Sequence, residues 1–402
     1  MRILFLTDNF PPEVNAPATR THEHCKEWIK EPDIEVTVLT CAPNFPHGKV
    51  YEGYKNKLFQ KENIDGIKVI RVWSYITENS GFVKRVIDYM SYAFMAFWVG
   101  LFQKHDIIVA TSPQFFTTWA GWGLSKIRRK PWIFELRDLW PETIKTVGAM
   151  KQGKVIDILE KIELRLYRSA NHVIPVTDAF KANLVSRGIN PEKISVITNG
   201  SNNELFKVRP KDSNLMKELS LEGKFVVGYI GTHGMCHGLD FIVQALSKVV
   251  DNEIYFLFIG DGAMKSMVVE LAKSLELKNI TFHDPVSKDE VPRYLSICDV
   301  SLAPLKNEDN FKTVIPSKIF EAAAMGKPTL LGVKGQAKKV LEHDGAGVCF
   351  EPENEEDFLL KLEELKRKEV YETCQKGCVK LAHRYDRKTL AKKMLDIIRE
   401  IK

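Results

Sequence analysis

Lys318 and Glu321 stand three residues apart in the segment TVIPSKIFEAAAMGKP. Pro316 breaks the incoming chain and Ser317 is expected to cap the helix that follows, so Lys318 falls in its first turn and Glu321 almost one turn along the same face. A cation there opposes the helix dipole at a cost of roughly 0.3 kcal/mol or more, which is understandable when an anion sits between the two. Glu321 is then placed to accept two hydrogen bonds from a ribose diol. Ala322, Ala323, Ala324 and Gly326 keep the helix thin where a ligand or a sheet comes close. The alternative is a surface i,i+3 ion pair worth about 0.3 kcal/mol.

A second candidate lies upstream in GYIGTHGMCHGLDFIVQA. Gly228, Gly231, Gly234 and Gly238 flank a sharp turn opening a helix, an arrangement that aims backbone N–H groups and the positive helix end at a phosphate. Tight strand-to-helix packing is the other reading of the same glycines. A dinucleotide site is not indicated, because the first glycine of the chain is Gly48 and the loop after the first strand therefore cannot be a Gly-x-Gly-x-x-Gly turn. No Asp-x-Asp occurs and no compact carboxylate cluster suggests Mg²⁺ or Mn²⁺, so no metal and no other cofactor is expected.

These loops need a scaffold, and the 402 residues are enough for two domains. Apolar runs recur with helix-length segments between them: Ile3–Leu6, Glu35–Thr40, Ile67–Val72, Asp106–Ala110, Trp132–Leu136, His172–Val176 and Ile194–Ile197. The pattern restarts after a polar stretch with Phe225–Ile230, Ile254–Ile259, Ile280–His283, Val300–Ala303, Pro328–Leu331 and Gly347–Cys349. Strands rich in Val and Ile alternating with helices predict an α/β chain of two doubly wound parallel sheets. We expect domains at 1–200 and 201–385, and a final helix over 386–402 with Leu390, Met394, Ile397 and Ile398 on its apolar face, available to pack back on the first domain. Two such domains facing each other place a cleft at the carboxyl ends of their strands.

Composition excludes several classes. Seven scattered cysteines indicate neither a zinc module nor a disulfide framework and fit reduced thiols in the cytoplasm, and MRILFLTDNF lacks the layout of a signal peptide. The whole surplus of the +6 charge sits in residues 1–200, partly in Lys126, Arg128, Arg129 and Lys130, which read as a solvated helix end; the aromatic-interleaved patch favoured by nucleic acid is missing. Tyr89–Phe102 holds 14 residues without a charge, several aromatic, with Lys84 and Arg85 before it and Lys104 after. It is short of the about 20 residues needed to span a bilayer, which leaves a core helix or one lying at a membrane surface.

The order and spacing of FPPEVNAPATR, ATSPQFFT, FELRDLWPE, VIPVTDAF, KISVITNGSNNELF, YIGTHGMCHGLD, FHDPVSKDEVPRYLSICDVSLAPL and PSKIFEAAAMGKP resemble the retaining nucleotide-sugar glycosyltransferases of family four, whose architecture is called GT-B. The resemblance covers nearly the whole chain. Through PPEVNAPATR and RDLWPE it looks most like the L-fucosamine (N-acetyl-L-fucosamine) transferases of bacterial O-antigen and capsule assembly. It implies a UDP-sugar donor, with His283, Pro285 and Val286 beside the base, Glu321 on the ribose, and the diphosphate on Lys318, Pro316, Ser317 and the turn Gly231, Thr232, His233 and Gly234. In the first domain, Glu13 to Arg20 takes the place of the acceptor loop, Asp138 borders the reacting sugar, and Asn15, Ala16, Arg20, His22 and Arg137 are acceptor candidates.

The sequence departs from the family at three places. Thr313 stands where the first glutamate of Glu-x7-Glu is expected, Thr232 and His237 replace an arginine and a lysine, and Asn199-Gly200-Ser201-Asn202 replaces Asn-Gly-Val-Asp. Charge gathering on a leaving UDP must then be offset by backbone amides, Lys318, His237, and Arg20 or Arg137 reaching across. Asp138, Glu13 and His22 would orient the acceptor or stabilise the sugar; as alternatives, Asp138 pairs with Arg137 or Arg20, and His22 packs on its own helix. The implied enzyme is a cytoplasmic transferase, peripheral on the inner face of the cytoplasmic membrane, acting on an undecaprenyl-diphosphate-linked saccharide. Competing readings are a UDP-sugar 2-epimerase of the same architecture and a non-catalytic glycan-binding protein.

Overall fold

The Val- and Ile-rich runs form strands that are buried along their whole length, as parallel strands covered on both faces must be. The computed structural model describes residues 1–77, 82–112, 115–139 and 153–401. They divide into two units, Met1–Thr198 with Lys388–Lys402, and Asn199–Arg387.

In the first unit the strands are β1 (Arg2–Leu6), β2 (Glu35–Cys41), β3 (Phe59–Ile64), β4 (Ile67–Val72), β5 (Ile107–Thr111), β6 (Trp132–Leu136) and β7 (His172–Pro175). Its helices are α1 (Ala16–Trp28), α2 (Phe82–Leu101), α3 (Phe115–Arg128), α4 (Lys154–Ser169) and α5 (Asp178–Ser186). The sheet order is β3-β4-β2-β1-β5-β6-β7, parallel except for β3. In the second unit the helices are α6 (Ser213–Glu218), α7 (Leu239–Leu246), α8 (Lys265–Ser274), α9 (Val291–Ile297), α10 (Lys318–Ala324), α11 (Gln336–Asp344), α12 (Glu355–Lys366) and α13 (Lys368–Arg384). Its strands β8 (Phe225–Ile230), β9 (Ile254–Ile259), β10 (Ile280–His283), β11 (Val300–Pro304), β12 (Thr329–Gly332) and β13 (Gly347–Cys349) pair in the order β10-β9-β8-β11-β12-β13. All are parallel, so the loops after β8, β9, β10 and β11 emerge at one end of that sheet.

Two elements differ from expectation. β3, FQKENI, pairs antiparallel with β4 at the sheet edge; its polar, alternating residues carry no apolar run, and the usable signal was the Asp65-Gly66 turn, whose φ angles of 51° and 87° are those of a two-residue hairpin. Ile194–Ile197 is no strand: it runs beside β7 with a single bridge from Ile194 to Val173 and amides donated by Ser195 and Ile197 to β7 carbonyls.

The last helix, α14 (Arg387–Ile401), belongs to the core of the first unit. Leu390, Ala391, Met394, Leu395 and Ile398 are buried among β1, β2 and β5 side chains, and Trp28 Nε1 donates to the Ala391 carbonyl at 2.7 Å. Ile397, expected on this face, is only partly buried.

α2 has two apolar faces. Tyr92, Ala93 and Ala96 are buried, with the Tyr92 hydroxyl 2.8 and 2.7 Å from the carbonyls of Thr7 and Leu39. On the other side Val83, Ile87, Met90, Phe94 and Trp98 form an exposed stripe continued by Phe102, which is 81% exposed. The tail of α3, with Lys126, Arg128 and Arg129, is exposed to solvent.

Met394 is fully buried, so Met394→Ala is expected to cost the first unit about 2–5 kcal/mol, read from the urea-unfolding transition. A loss below about 1 kcal/mol would show that α14 is dispensable to this core.

Candidate active site

The loop after β8 is clamped on both sides. On the β9 side, Gly231 N–H donates to Ile259 O at 2.9 Å, His233 N–H to Asp261 O at 2.8 Å and Met264 N–H to His233 O at 2.8 Å. A Cβ on Gly260 would lie 1.9 Å from Gly231 O, so only glycine permits this approach. On the β11 side, Lys306 N–H donates to Cys236 O at 2.9 Å.

The loop is a shallower anion cradle than the sequence implied. Gly234 N–H donates to His237 Nδ1 at 3.2 Å, so the amides of Gly231, His233 and Gly234 are all engaged. Those of Thr232, Met235 and Cys236 have no acceptor among the described residues. A 3-10 turn, Met235–His237, precedes α7, and Gly238 at φ 58° joins the two.

Lys318 supplies what the amides do not. Pro316 and Ser317 lead into α10, while Ile319, Phe320, Ala322 and Ala323 anchor it in the core. Ser317 does not cap the helix as expected: at φ −61°, ψ −27° it is already helical, its side chain caps nothing, and the first turn closes from Ile319 N–H to Pro316 O at 3.2 Å. The Lys318 stem then runs inward under the β8 loop. Its Nζ is enclosed, lies 3.6 Å from the centroid of the Tyr229 ring and makes no hydrogen bond among the described residues. A Cβ on Gly231 would be 3.1 Å from that nitrogen. Burial lowers the amine to about 7, against the charge of Glu321, which supports the ammonium. Glu321, half-buried, follows three residues later on the same helix.

The two histidines of the loop are neutral. Burial, then the charge of Lys318, brings His237 to about 4; its Nδ1 lies 3.2 Å from the Gly234 amide nitrogen and 3.3 Å from the Gly234 carbonyl oxygen. His237 therefore does not replace a lysine as a positive group; it offers one neutral N–H. His233 is fully buried beside Tyr229 and Phe258, both ring nitrogens without a hydrogen bond among the described residues, and burial with the charges of Lys265 and Lys318 brings it to about 4. Its ring is core, not a ligand-facing group. Thr232 is exposed and its carbonyl accepts from the Tyr229 hydroxyl at 2.6 Å.

Beyond β10, the ring of His283 packs against Tyr294 at a tilt of 57°, centroids 5.0 Å apart, with Nε2 3.2 Å from the tyrosine hydroxyl and Nδ1 2.8 Å from Asp284 O. Pro285 is exposed and Val286 packs partly against the core, which leaves backbone edges and the Pro285 ring to meet a ligand.

In the first unit the candidate residues follow β1 and β6, but several have structural work. Arg20 is 3% exposed and does not reach out: Nε pairs with Glu135 at 2.9 Å and its terminal nitrogens donate to the carbonyls of Thr198 at 2.5 Å and Ile197 at 2.8 Å. Burial pushes the Glu135 carboxyl up, but Arg20, Arg137 and the Thr111 hydroxyl outweigh it and hold it below the usual range. Arg137, 8% exposed, faces that carboxylate, and its N–H donates to the Ser112 hydroxyl at 2.9 Å. Glu13, 2% exposed, accepts from the amides of Phe10, Asn44 and Phe45 at 3.1, 2.9 and 2.8 Å; burial raises its carboxyl despite them. It ties the β1 and β2 loops together. Asn15 caps α1 by accepting from Ala18 N–H at 2.9 Å, and Ala16 opens the helix. His22 lies against the β3–β4 turn, Nε2 3.1 Å from Asp65, and burial lowers it. Asp138 remains at the loop surface, half-buried, its carboxyl raised by burial against the pull of Arg137. Its companions Trp140, Pro141 and Glu142, and Pro113 and Gln114 of the β5 loop, lie outside the described residues.

The comparisons with known proteins agree with this geometry. Residues 211–387 match the family described as glycosyl transferases group 1, and residues 15–200 match the glycosyl transferase 4-like domain. The chain belongs to the group 1 glycosyltransferases of GT-B fold. It is 24% identical to the protein WcaI of Escherichia coli (strain K12), named as a colanic acid biosynthesis glycosyl transferase, over 89% of this chain and 90% of that one. Among solved structures its fold is similar to Anabaena Alr3699/HepE in complex with UDP (TM-score 0.74, 17% identity, 100% of both chains) and to sucrose-phosphate synthase from Thermosynechococcus elongatus (TM-score 0.77, 15% identity, 100% of this chain and 98% of that one). Both matched families are transferases, so the epimerase reading is not carried further.

In protein labelled with ¹³C-lysine, one Cε resonance, absent from Lys318→Met, is expected to titrate near pH 7. If every lysine titrates above about pH 9.5, the amine is not enclosed as described.

Proposed function

We propose that the chain transfers a sugar, N-acetyl-L-fucosamine or a related amino sugar, from a UDP donor to an undecaprenyl-diphosphate-linked saccharide during capsule or O-antigen synthesis. The observation that carries the reading is Lys318, a buried amine without a hydrogen bond among the described residues beside the amides of Thr232, Met235 and Cys236. A diphosphate placed there gives the amine its missing acceptor and restores its charge. Glu321, on the same helix, accepts from the ribose, and the loop after His283 meets the base. The WcaI likeness supports a role in surface polysaccharide assembly.

The reaction retains the anomeric configuration. As the C1–O bond to the β-phosphate breaks, the acceptor hydroxyl bonds to C1 on the same face and its proton passes to the leaving phosphate oxygen; no protein nucleophile is needed. Lys318 offsets the charge that grows on the phosphate, the neutral His237 ring lies beside it, and Asp138 faces the positive charge at the sugar or the acceptor hydroxyl. No divalent metal takes part: transfer is expected to persist in EDTA, and loss of transfer restored by Mn²⁺ would remove this claim.

The protein acts from the cytoplasmic face of the inner membrane. No helix of the described residues is long and apolar enough to cross a bilayer. The exposed stripe of α2, flanked by Lys84, Arg85 and Lys104, is suited to lie on an anionic surface. Phe94, Trp98 and Phe102 carry this contact, because Phe97 packs inward against Gly123 of α3. Their triple replacement by serine is expected to leave a folded enzyme that no longer floats with anionic vesicles; continued flotation would place the contact elsewhere.

Lys318→Ala is expected to lower kcat by about 10²–10³ with a smaller loss of UDP binding. Glu321→Ala should mainly raise the donor KM, by about 1.5–3 kcal/mol in binding free energy. Near wild-type kinetics for Lys318→Ala would remove its leaving-group role, and UDP binding with no turnover of any donor would favour a non-catalytic binding protein.

A further inference from the structure

A buried tyrosine must find a hydrogen-bond partner for its hydroxyl. Tyr229, the fifth residue of β8, is fully buried and sends its hydroxyl into the loop that follows, to the Thr232 carbonyl at 2.6 Å. The same peptide unit is held from its other end, where His233 N–H donates to Asp261 O at 2.8 Å. Gly231 N–H is bound to Ile259 O at 2.9 Å. Both amides flanking Thr232, and its carbonyl, are therefore pinned, while the Thr232 N–H between them has no acceptor among the described residues. Phenylalanine would fill the same space in β8, so packing asks for the ring and not for the oxygen.

The face of the ring meets a different group. Lys318 Nζ lies 3.6 Å from its centroid, within the range over which an aromatic face attracts an ammonium, and makes no hydrogen bond among the described residues. Phe258, His233 and His237 surround the ring with centroids 5.4, 5.6 and 6.1 Å away and keep it from turning. One side chain thus touches both the amine carried by α10 and the loop carried by β8. We propose that Tyr229 is a positioning residue with two separable actions: its ring face holds the Lys318 ammonium where a diphosphate meets it, and its hydroxyl fixes the Thr232 peptide so that the free Thr232 N–H serves the same ligand. The inference rests on the reading of Lys318 as the diphosphate ligand. Tyr229 is enclosed and acts only through these two neighbours.

The test separates the oxygen from the ring, with UDP as the probe. Tyr229→Phe removes the hydroxyl alone, and pentafluorophenylalanine in place of Tyr229 keeps the shape of that phenylalanine while reversing the charge on the ring face. The titratable groups facing the amine, Glu321, Cys236, His233 and His237, are the same in both proteins. The Lys318 Cε resonance is expected to titrate within about 0.3 pH unit of wild type in Tyr229→Phe and about one unit lower in the fluorinated protein. The calorimetric Kd of UDP should rise by about 3–10-fold in Tyr229→Phe, through the loosened turn. It should rise by a further factor of about 3–10 in the fluorinated protein, and this second loss should vanish when Lys318→Met is present as well. Equal titration midpoints in the two ring proteins, or a second loss that persists in Lys318→Met, would show that the ring only packs and would overturn the inference. Wild-type UDP affinity in Tyr229→Phe would overturn the action assigned to the hydroxyl. Wild-type UDP affinity in Lys318→Met alone is a separate outcome, which removes the diphosphate reading of Lys318 and the inference with it.

Discussion

The second unit is organised around a lysine amine that has been taken out of water and given no hydrogen-bond acceptor among the described residues. An isolated ammonium is costly to bury, and the protein answers that cost in part with the face of Tyr229, in part with the charge of Glu321, and otherwise by letting the amine lose its proton near neutral pH. Nothing in packing requires a lysine at this position. On the proposed reading an arriving diphosphate resolves this tension, so that ligand binding and the relief of a buried polar mismatch would be the same event.

Keeping that amine in place depends on contacts that are themselves apolar or backbone-made. α10 is short, but its inward face is Ile319, Phe320, Ala322 and Ala323, and its end is closed by Gly326 and Lys327 amides returning to the Ala323 and Ala322 carbonyls at 2.9 Å each. The β8 loop above it is clamped by β9 and β11 loop backbone, so the cradle cannot drift away from the lysine. The first unit solves a different problem. Arg20, Glu135 and Glu13 are buried and paired or hydrogen-bonded to backbone: Glu13 ties the loops after β1 and β2, and Arg20 ties α1 to β6 and to the carbonyls of Ile197 and Thr198. Breaking such a pair leaves an uncompensated charge, which is why these residues look functional in a sequence while working as braces.

Much of this was legible in the residues. Runs such as IIVAT and WIFEL could only be parallel strands buried on both faces, and their alternation with helices gave both sheets. Lys318 and Glu321 were legible because a lysine in a first helical turn needs a reason. What was not legible depended on tertiary partners. Ser317 carries a capping residue's side chain but sits in helical geometry, and Arg20 could not be seen to face Glu135, 115 residues away. The engagement of Gly231, His233 and Gly234 by the neighbouring loop is likewise invisible to a pattern of glycines. Tyr229, the platform under Lys318, reads in sequence as one more strand residue; the exposed stripe of α2 was half visible, since an uncharged run does not say which of its faces is covered.

The most direct measurement of the central claim is the number of protons taken up when UDP binds, obtained by calorimetry in buffers of different ionisation enthalpy. An amine near 7 in the ligand-free protein is mostly neutral at about pH 8 and mostly charged at about pH 6, and a bound diphosphate holds it charged at both. The account predicts uptake of close to one proton at about pH 8, and none of it in Lys318→Met. Binding at about pH 8 without proton uptake, or with the same uptake in Lys318→Met, would contradict it.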